Sequence, residues 1–472
     1  MSKSQKNETL TLVLALLITG GLLGGGYLLF SDVFSDSGSE VSQPGEQGTD
    51  NISENRIKLS QGETLLFPES KSENKQAGID AFSASNYPLA VESFDAALNK
   101  DKNDPETLIY LNNAEIGDQN SYQIAVAVPI GDIPTVASEL LRGVAQAQTE
   151  INQAGGINGV PLKVWIGDDK NDAEEAEYIA ETLSKNSDIL GVVGHYSSGV
   201  SLAASVVDQQ NQLVMISPTS TSTKLSDAGD FIFRTVPSDR FAAHTLIRYF
   251  WDDLWLSKAA IFYNEDSAYS RSLKNELITA IYVEDGEVVE TFNLSSADFD
   301  TIEGYFDSYD TLRQQQAEAI ILVPDTATLR KALQMASAND RNLPILAGDS
   351  VYSSDTLEKG ESVLGMVVAV PWHIENNRSS DFVQTADQLW GADVNWRTAM
   401  ACDATKTLAA AIATSPSRGG VAESLSEPGF STPGCTVTIR FLPSGDRNQA
   451  FELVTIEPGT RSGLGYDFVP LR

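Results

Sequence analysis

Histidine is scarce in this 472-residue chain, with three copies, beside two cysteines and five methionines. So few histidines give a histidine-based catalytic triad or metal centre little to draw on. Cys402 and Cys435 are too few for a disulfide scaffold and too far apart for a redox or metal motif. Pairing requires a body outside the cytoplasm, two separate buried thiols are the alternative, and the sequence leaves the choice open. Basic residues are also short: 32 Lys and Arg stand against 65 Asp and Glu, a formal charge of −33. No basic run appears, which argues against a nucleic-acid partner, because phosphate binding by counterion release needs clustered Lys and Arg. The acidic surplus reads as a well-solvated surface. Neither a G-x-x-x-x-G-K phosphate loop nor a G-x-S-x-G elbow is present. With no nucleophile–base pair visible, the expectation is a protein that is not an enzyme and carries no cofactor. Hydrophobic residues at 42% allow a globular body of two or three domains.

Long hydrophobic runs are equally rare. The single one, LTLVLALLITGGLLGGGYLLF from Leu10 to Phe30, has about the 20 residues that a membrane helix needs. Lys3 and Lys6 precede it, while Asp32, Asp36 and Glu40 follow, so the remainder is expected outside the membrane. Residues 1–30 therefore read as an N-terminal tail and transmembrane anchor, with a cleaved signal peptide as the rival. Residues 31–73 turn to Ser, Gly, Glu, Asp and Gln and read as a flexible linker. Residues 74–117 fit a short α-helical hairpin, with Asp104 as an N-cap and Pro105 at the first helical position. This segment resembles one tetratricopeptide repeat: Gly78, Tyr87, Ala90, Phe94 and Ala97 stand at its signature positions, and Lys102 replaces its usual proline. One repeat cannot bury its own face, so the hairpin must dock on the body or on another chain. It reads as a helical spacer, with a peptide-binding module as the alternative.

From Tyr122 the texture changes to strands alternating with helices. YQIAVAVPI, PLKVWIGDD, ILGVVGHY, QLVMISP, AAIFYN, AIILVPD and PILAGD read as buried strands. Between the first two, Ala137, Leu140, Leu141, Val144 and Ile151 recur at helical spacing, and Gly155–Gly156 ends that helix. The alternation predicts an α/β fold of right-handed βαβ units with parallel sheets. In such sheets ligands bind beyond the carboxyl ends of the strands. Two hydroxyl clusters, HYSSG after ILGVVG and PTSTSTKL after QLVMIS, emerge there on neighbouring strands. The first also opens a helix, whose free amides and dipole favour an anion.

GHYSSGVSLAASVV and QNQLVMISPTSTSTKL, together with INQAGGINGVPLKVWIGDDKND, FIFRTVPSD and CTVTIRFLPSGDR, resemble in order and spacing the type I periplasmic solute-binding proteins, the leucine/isoleucine/valine-binding family of ABC transporters. The resemblance runs from about Tyr122 to the C-terminus. It implies two α/β lobes joined by three crossover strands, here near 234–236, 368–371 and 438–441, with the ligand clamped between them. The solute-binding domain becomes 118–472, with lobe one at 121–235 and 371–439 and lobe two at 236–370 and 440–472. Carried over by position, Ser198 grips the ligand carboxylate, Thr219 offers backbone groups, and Thr221 offers its hydroxyl. Tyr269 closes over the ligand from lobe two, Asp349 pairs with the α-ammonium, and Asp325 is a second candidate for that pair.

Two departures separate this chain from branched-chain binders. Asp349 is shorter than the glutamate found there, and Val136 stands near where an aromatic packs on the ligand side chain. His195 reads as structural, since no acid lies near it in sequence. DDKND, Asp168 to Asp172, resembles the start of a calcium loop but lacks the following glycine and the distal glutamate, so it reads as a solvated strand-end loop with no metal. The functional expectation is an extracytoplasmic protein, tethered to the cytoplasmic membrane by its N-terminal helix, that delivers an amino acid or similar small polar ligand to ABC permease subunits. The alternative is a ligand-sensing ectodomain that signals through a partner membrane protein.

Overall fold

A computed structural model of the protein describes residues 59–471. The expected anchor lies outside the described residues, and among these no helix is long and apolar enough to cross a membrane. The first sheet is built from β1 (Leu59–Ser60), β2 (Tyr122–Val128), β3 (Leu162–Asp168), β4 (Ile189–Val193), β5 (Val214–Ser217) and β6 (Ile232–Arg234), in the order β1-β3-β2-β4-β5-β6. All its pairs are parallel except β1 with β3. The chain continues through β7 (Lys258–Tyr263), β8 (Glu287–Asn293), β9 (Ala319–Val323), β10 (Ile345–Ala347) and β11 (Val367–Val370). A two-stranded ribbon of β12 (Thr432–Pro433) and β13 (Thr438–Ile439) precedes the closing strands β14 (Glu452–Pro458) and β15 (Tyr466–Pro470). The second sheet is ordered β15-β14-β11-β10-β9-β7-β8, with β14 and β15 antiparallel at one edge. Both faces of these sheets are covered, and the central strands accordingly read as unbroken apolar runs: every residue of β4 and β9 is buried.

Helices α1 (Glu73–Ser83), α2 (Tyr87–Leu98) and α3 (Pro105–Ile116) precede the first long strand. Helices α4 (Pro134–Gln153), α5 (Ala173–Lys185) and α6 (Ser198–Gln210) connect strands of the first sheet. The second sheet carries α7 (Asp239–Arg248), α8 (Ala268–Val283), α9 (Ile302–Gln314), α10 (Leu329–Asn339) and the single turn α11 (Ser354–Leu357). The chain then returns to the first sheet with α12 (Asp381–Trp390), α13 (Trp396–Thr414) and α14 (Arg418–Ser426), α13 packing along α4. That contact is intimate because Gly143 has no side chain: a Cβ there would stand 2.1 Å from the Thr398 carbonyl oxygen. The molecule is thus a two-lobed α/β structure whose chain passes between lobes after β6, after β11 and after β13.

Buried ion pairs fasten these passages. Arg234, at the end of β6, pairs with Asp446 at 2.6 Å, and Arg447 pairs with Asp403 of α13. The Thr235 hydroxyl donates to the Met400 carbonyl (2.8 Å). Cys402 and Cys435 form a disulfide, which settles the alternative left open by their number.

The linker expectation needs correction at its end. Leu59 and Ser60 add an antiparallel strand to β3, Leu66 and Phe67 enter the core, and Glu106 accepts from the Leu66 amide at 2.7 Å. The apolar triplet Leu65–Leu66–Phe67 inside a polar stretch gains more from burial than it loses in chain entropy. Residues 73–116 form three helices: the hairpin pair and, after the Asp104 cap, a complete further helix. Ala90, Phe94 and Ala97 are buried between them, and α3 docks on the body through Asn112 to Thr149 (2.9 Å) and Asn113 to the Val164 carbonyl (2.8 Å).

Candidate ligand-binding site

The carboxyl ends of β4 and β5 lie side by side, in the register Val193 opposite Ile216. Their two hydroxyl clusters are first of all stitched to each other. The His195 carbonyl accepts from Ser217 Oγ (2.9 Å) and Ser201 Oγ (3.2 Å), and the Tyr196 carbonyl accepts from Thr219 Oγ1 (2.7 Å) and Ser220 Oγ (3.2 Å). Much of the Ser and Thr content therefore shapes the strand tips. What the tips present is backbone: α6 begins at Ser198 with no side-chain cap, and its first i→i−4 bond runs from the Ser201 amide to the Ser197 carbonyl (2.9 Å). Ser198, Gly199 and Val200 of this first turn, whose amides precede the first intrahelical bond, line a cavity of about 670 Å³ between the lobes.

Ser198, Thr219, Tyr269, Asp325 and Asp349 all line that cavity. From the second lobe, the Tyr269 hydroxyl of α8 donates to Asp349 Oδ1 at 2.7 Å, just after β10. Burial raises the Asp349 carboxyl, while Tyr269 and the charge of Arg397 partly offset it. Burial and the Asp349 charge raise the Tyr269 phenol. Asp325 stands nearer the mouth, where its Oδ1 accepts from the amide (3.0 Å) and hydroxyl (2.7 Å) of Thr328 ahead of α10. Half of its acceptor capacity is spent on that helix start.

Thr221 differs from its expected place. It is fully buried, is absent from the cavity wall, and lies a layer deeper, where its carbonyl accepts from the Asp239 amide at 2.8 Å. Asp239 itself is fully buried at the start of α7, and burial pushes its carboxyl up to about 7; the hydroxyls of Ser272 and Thr221 and the charge of Arg234 offset this, and the Asp349 charge adds to it. Two carboxylates, Asp239 and Asp349, thus bear on one another beside Tyr269.

Sequence reasoning missed Asp239, although it lies in the quoted FIFRTVPSD; an acid just after a strand of the hydroxyl-bearing sheet was the available signal. It also missed Tyr196, whose hydroxyl meets Thr326 Oγ1 across the cleft at 3.3 Å, and Trp396 and Arg397, which line the cavity from α13. Val136 does not line the cavity, whereas Asp132 and Ile133 of the same loop do. His195 is buried and structural, and its acid comes from 26 residues away: Nδ1 meets Asp169 Oδ2 at 2.7 Å. The expectation of a solvated DDKND loop fails for its first two residues, since Asp168 and Asp169 are buried. They hold backbone amides of Gly131 (2.9 Å) and Asn171 (2.9 Å), and Asp172 caps α5. Among the described residues no group of three or more His, Cys, Asp or Glu side chains is placed to hold a metal ion.

Comparison with known proteins agrees with this architecture. The model of the periplasmic binding protein family matches residues 122–461. Among curated relatives, the Leu/Ile/Val-binding protein homolog 1 of Brucella abortus (strain 2308) is 28% identical over 155 residues, 32% of this chain and 41% of that protein. An amino acid binding protein of Pseudomonas aeruginosa is 30% identical over 146 residues, 30% of this chain and 39% of that protein. These matches span less than half the length of the curated relatives. Among solved structures, the ABC transporter substrate-binding protein of Desulfitobacterium hafniense in complex with Leu has 25% identity and a TM-score of 0.63, covering 74% of this chain and 100% of that one. A leucine binding protein of Thermotoga maritima, at 21% identity, shares the fold with a TM-score of 0.64, over 74% of this chain and 97% of that one. A family model that matches residues 122–461, on a two-lobed α/β body with a cavity between the lobes, decides the assignment: the chain belongs to the periplasmic binding protein family.

Proposed function

We propose that this chain is an extracytoplasmic solute-binding protein that captures an amino acid or similar small polar solute between its lobes and delivers it to an ABC transporter permease. The observation that carries this reading is the opposition, within one cavity, of the α6 amide turn at Ser198 to the Tyr269–Asp349 pair. A zwitterion leaving water needs an anion site and a cation site close together, because an unpaired charge in a closed cleft is costly. In this reading Ser198 and its neighbours take the carboxylate, and the Thr219 carbonyl and Asp349 take the ammonium. Asp239 deepens the negative potential from below, and Thr221 acts through Asp239. Tyr269 closes over the ligand, and Asp325 is a second partner for the ammonium. The lobes are assigned as 121–235 with 371–439, and 236–370 with 440–472, so closure brings donors and carboxylates together and ligand shifts the open–closed balance.

The Cys402–Cys435 disulfide supports a location outside the cytoplasm, as does the family. Residues 1–30 would tether the body to the membrane, and the helices of 73–116 would act as a spacer.

Isothermal titration of the purified full-length protein against a panel of amino acids, small amides and carboxylates tests the proposal. The expected outcome is saturable binding of at least one amino acid, weakening as pH falls through about 7, where Asp239 gains its proton. Absence of binding across the panel would reject the reading. Co-purification with a permease, rather than with a signalling membrane protein, separates delivery from sensing.

A further inference from the structure

Four arginines are buried among the described residues: Arg142, Arg234, Arg397 and Arg447. Three have a carboxylate of the chain against them, Glu139, Asp446 and Asp403 respectively. Arg397 is in none of the ion pairs within 4.0 Å among the described residues, although it is only 6% exposed. Its contacts are a single hydrogen bond from Nη1 to the Tyr352 carbonyl (3.2 Å) and the face of Trp396, 4.4 Å from Cζ to the ring centroid. Its Nε is buried with no acceptor, as is the indole nitrogen of Trp396, and both residues line the cavity. The position is fixed by the backbone: Arg397 is in the first turn of α13, where its amide donates to Asn395 Oδ1 at 2.9 Å.

A planar, always-charged fork held on an aromatic face is preorganised for a carboxylate. Leaving it uncompensated in a closed cleft is costly, so its counterion must come with the ligand. Asp349 feels the charge of Arg397 but forms no ion pair with it within 4.0 Å, and its Oδ1 is already engaged by Tyr269. Among the rim carboxylates, Asp172 and Asp325 accept from helix-start amides, and Asp132 accepts from the Asn171 side chain (3.2 Å). Building on the amino-acid-binding reading, we propose that the physiological ligand is an acidic amino acid, whose side-chain carboxylate is gripped by Arg397 while its ammonium is held on the Asp349 side. A branched-chain amino acid would fill the same cavity but leave Arg397 without an anion.

Glutamate and glutamine have the same shape and differ in this one charge, so their comparison isolates the claim. Titration calorimetry on the full-length protein should show aspartate or glutamate binding about 30-fold or more tightly than its amide, the range for one buried charge-assisted pair. Arg397→Gln should remove that preference, weakening glutamate far more than glutamine, and Arg397→Lys should keep part of it, with thermal melting confirming that each variant is folded. If Arg397→Gln fails to fold, the wild-type preference and the lysine variant decide the matter. Glutamine or leucine binding as tightly as glutamate overturns the inference and leaves the amino-acid reading intact. Equal weakening of every amino acid by Arg397→Gln also overturns it, by giving Arg397 to the α-carboxylate. Binding of no amino acid overturns both.

Discussion

Asp208 and Asp239 are both fully buried, and burial pushes each carboxyl up to about 7. Their surroundings separate them. Asp239 lies beneath the cavity, where an arriving ammonium would lower its pKa and recover the cost of ionising it. Asp208, near the end of α6, is away from the cavity wall and, like Asp239, has no hydrogen-bond partner on either oxygen; only the charges of His195 and Arg418 favour its ionised form. An unfolded aspartate titrates near ~3.9, so here the folded state holds the proton more tightly. The fold therefore loses stability as pH rises from about 4 to about 7, and the cost is complete above that, on the order of 4 kcal/mol for one group. Asp208→Asn should raise the melting temperature at pH 8 and lose that advantage toward pH 4. A melting difference that stays constant over the same range would reject this account. Neither aspartate was legible as buried. Nothing local in SVVDQQ or VPSDR says which side chain the next layer will cover, and Arg397 in VNWRTA reads simply as a helix start. That Ser198 and Thr219 reach one cavity was legible because adjacent parallel strands share one edge by construction, whereas the depth of Thr221 depends on the turn after Pro218.

At the scale of elements, the strands read correctly from sequence are those covered on both faces, such as β4, β9 and β10, whose apolar runs need no alternation to be recognised. Those missed lie at edges: β8 is partly exposed throughout, and β14 and β15 end the second sheet with mixed exposure. The leading helices show the converse, since their pattern was visible but their attachment was not. Lys75, fully buried on α1, pairs with Asp104 and Glu106 at 2.7 Å each, and Glu106 in turn holds the Leu66 amide. One cation thus ties α1, the start of α3 and the strand-bearing segment before them. Lys75→Met would leave two carboxylates buried without a counterion, a loss of about 3–5 kcal/mol. Because α1 to α3 form one layer on the body, that loss is expected as local opening. Hydrogen exchange should quicken across 59–116 while protection of β4, β5 and the cavity loops is unchanged. Unaltered exchange in 59–116 would show that the triad contributes nothing to this layer.

For the whole molecule, the charge of −33 sets how a ligand arrives rather than how it is held. Asp132, Asp172, Asp266 and Asp325 line the same cavity as the single arginine, so the approach to the cleft is negative. An acidic amino acid carries net charge of one negative and must cross that field, whereas its amide is neutral overall. The Debye length falls from about 30 Å at 0.01 M salt to about 10 Å at 0.1 M, so added salt removes most of the repulsion outside the cleft. Contacts inside a closed cleft are screened far less. Association of glutamate should therefore quicken several-fold between low and physiological salt, with dissociation nearly constant and glutamine almost insensitive. Stopped-flow tryptophan fluorescence reads this directly, since Trp396 lines the cavity. A glutamate association rate that falls with salt would mean that Arg397, not the acidic envelope, governs the approach. The molecule would then draw anions in from solution, and its surface charge would have to be explained by something other than ligand entry.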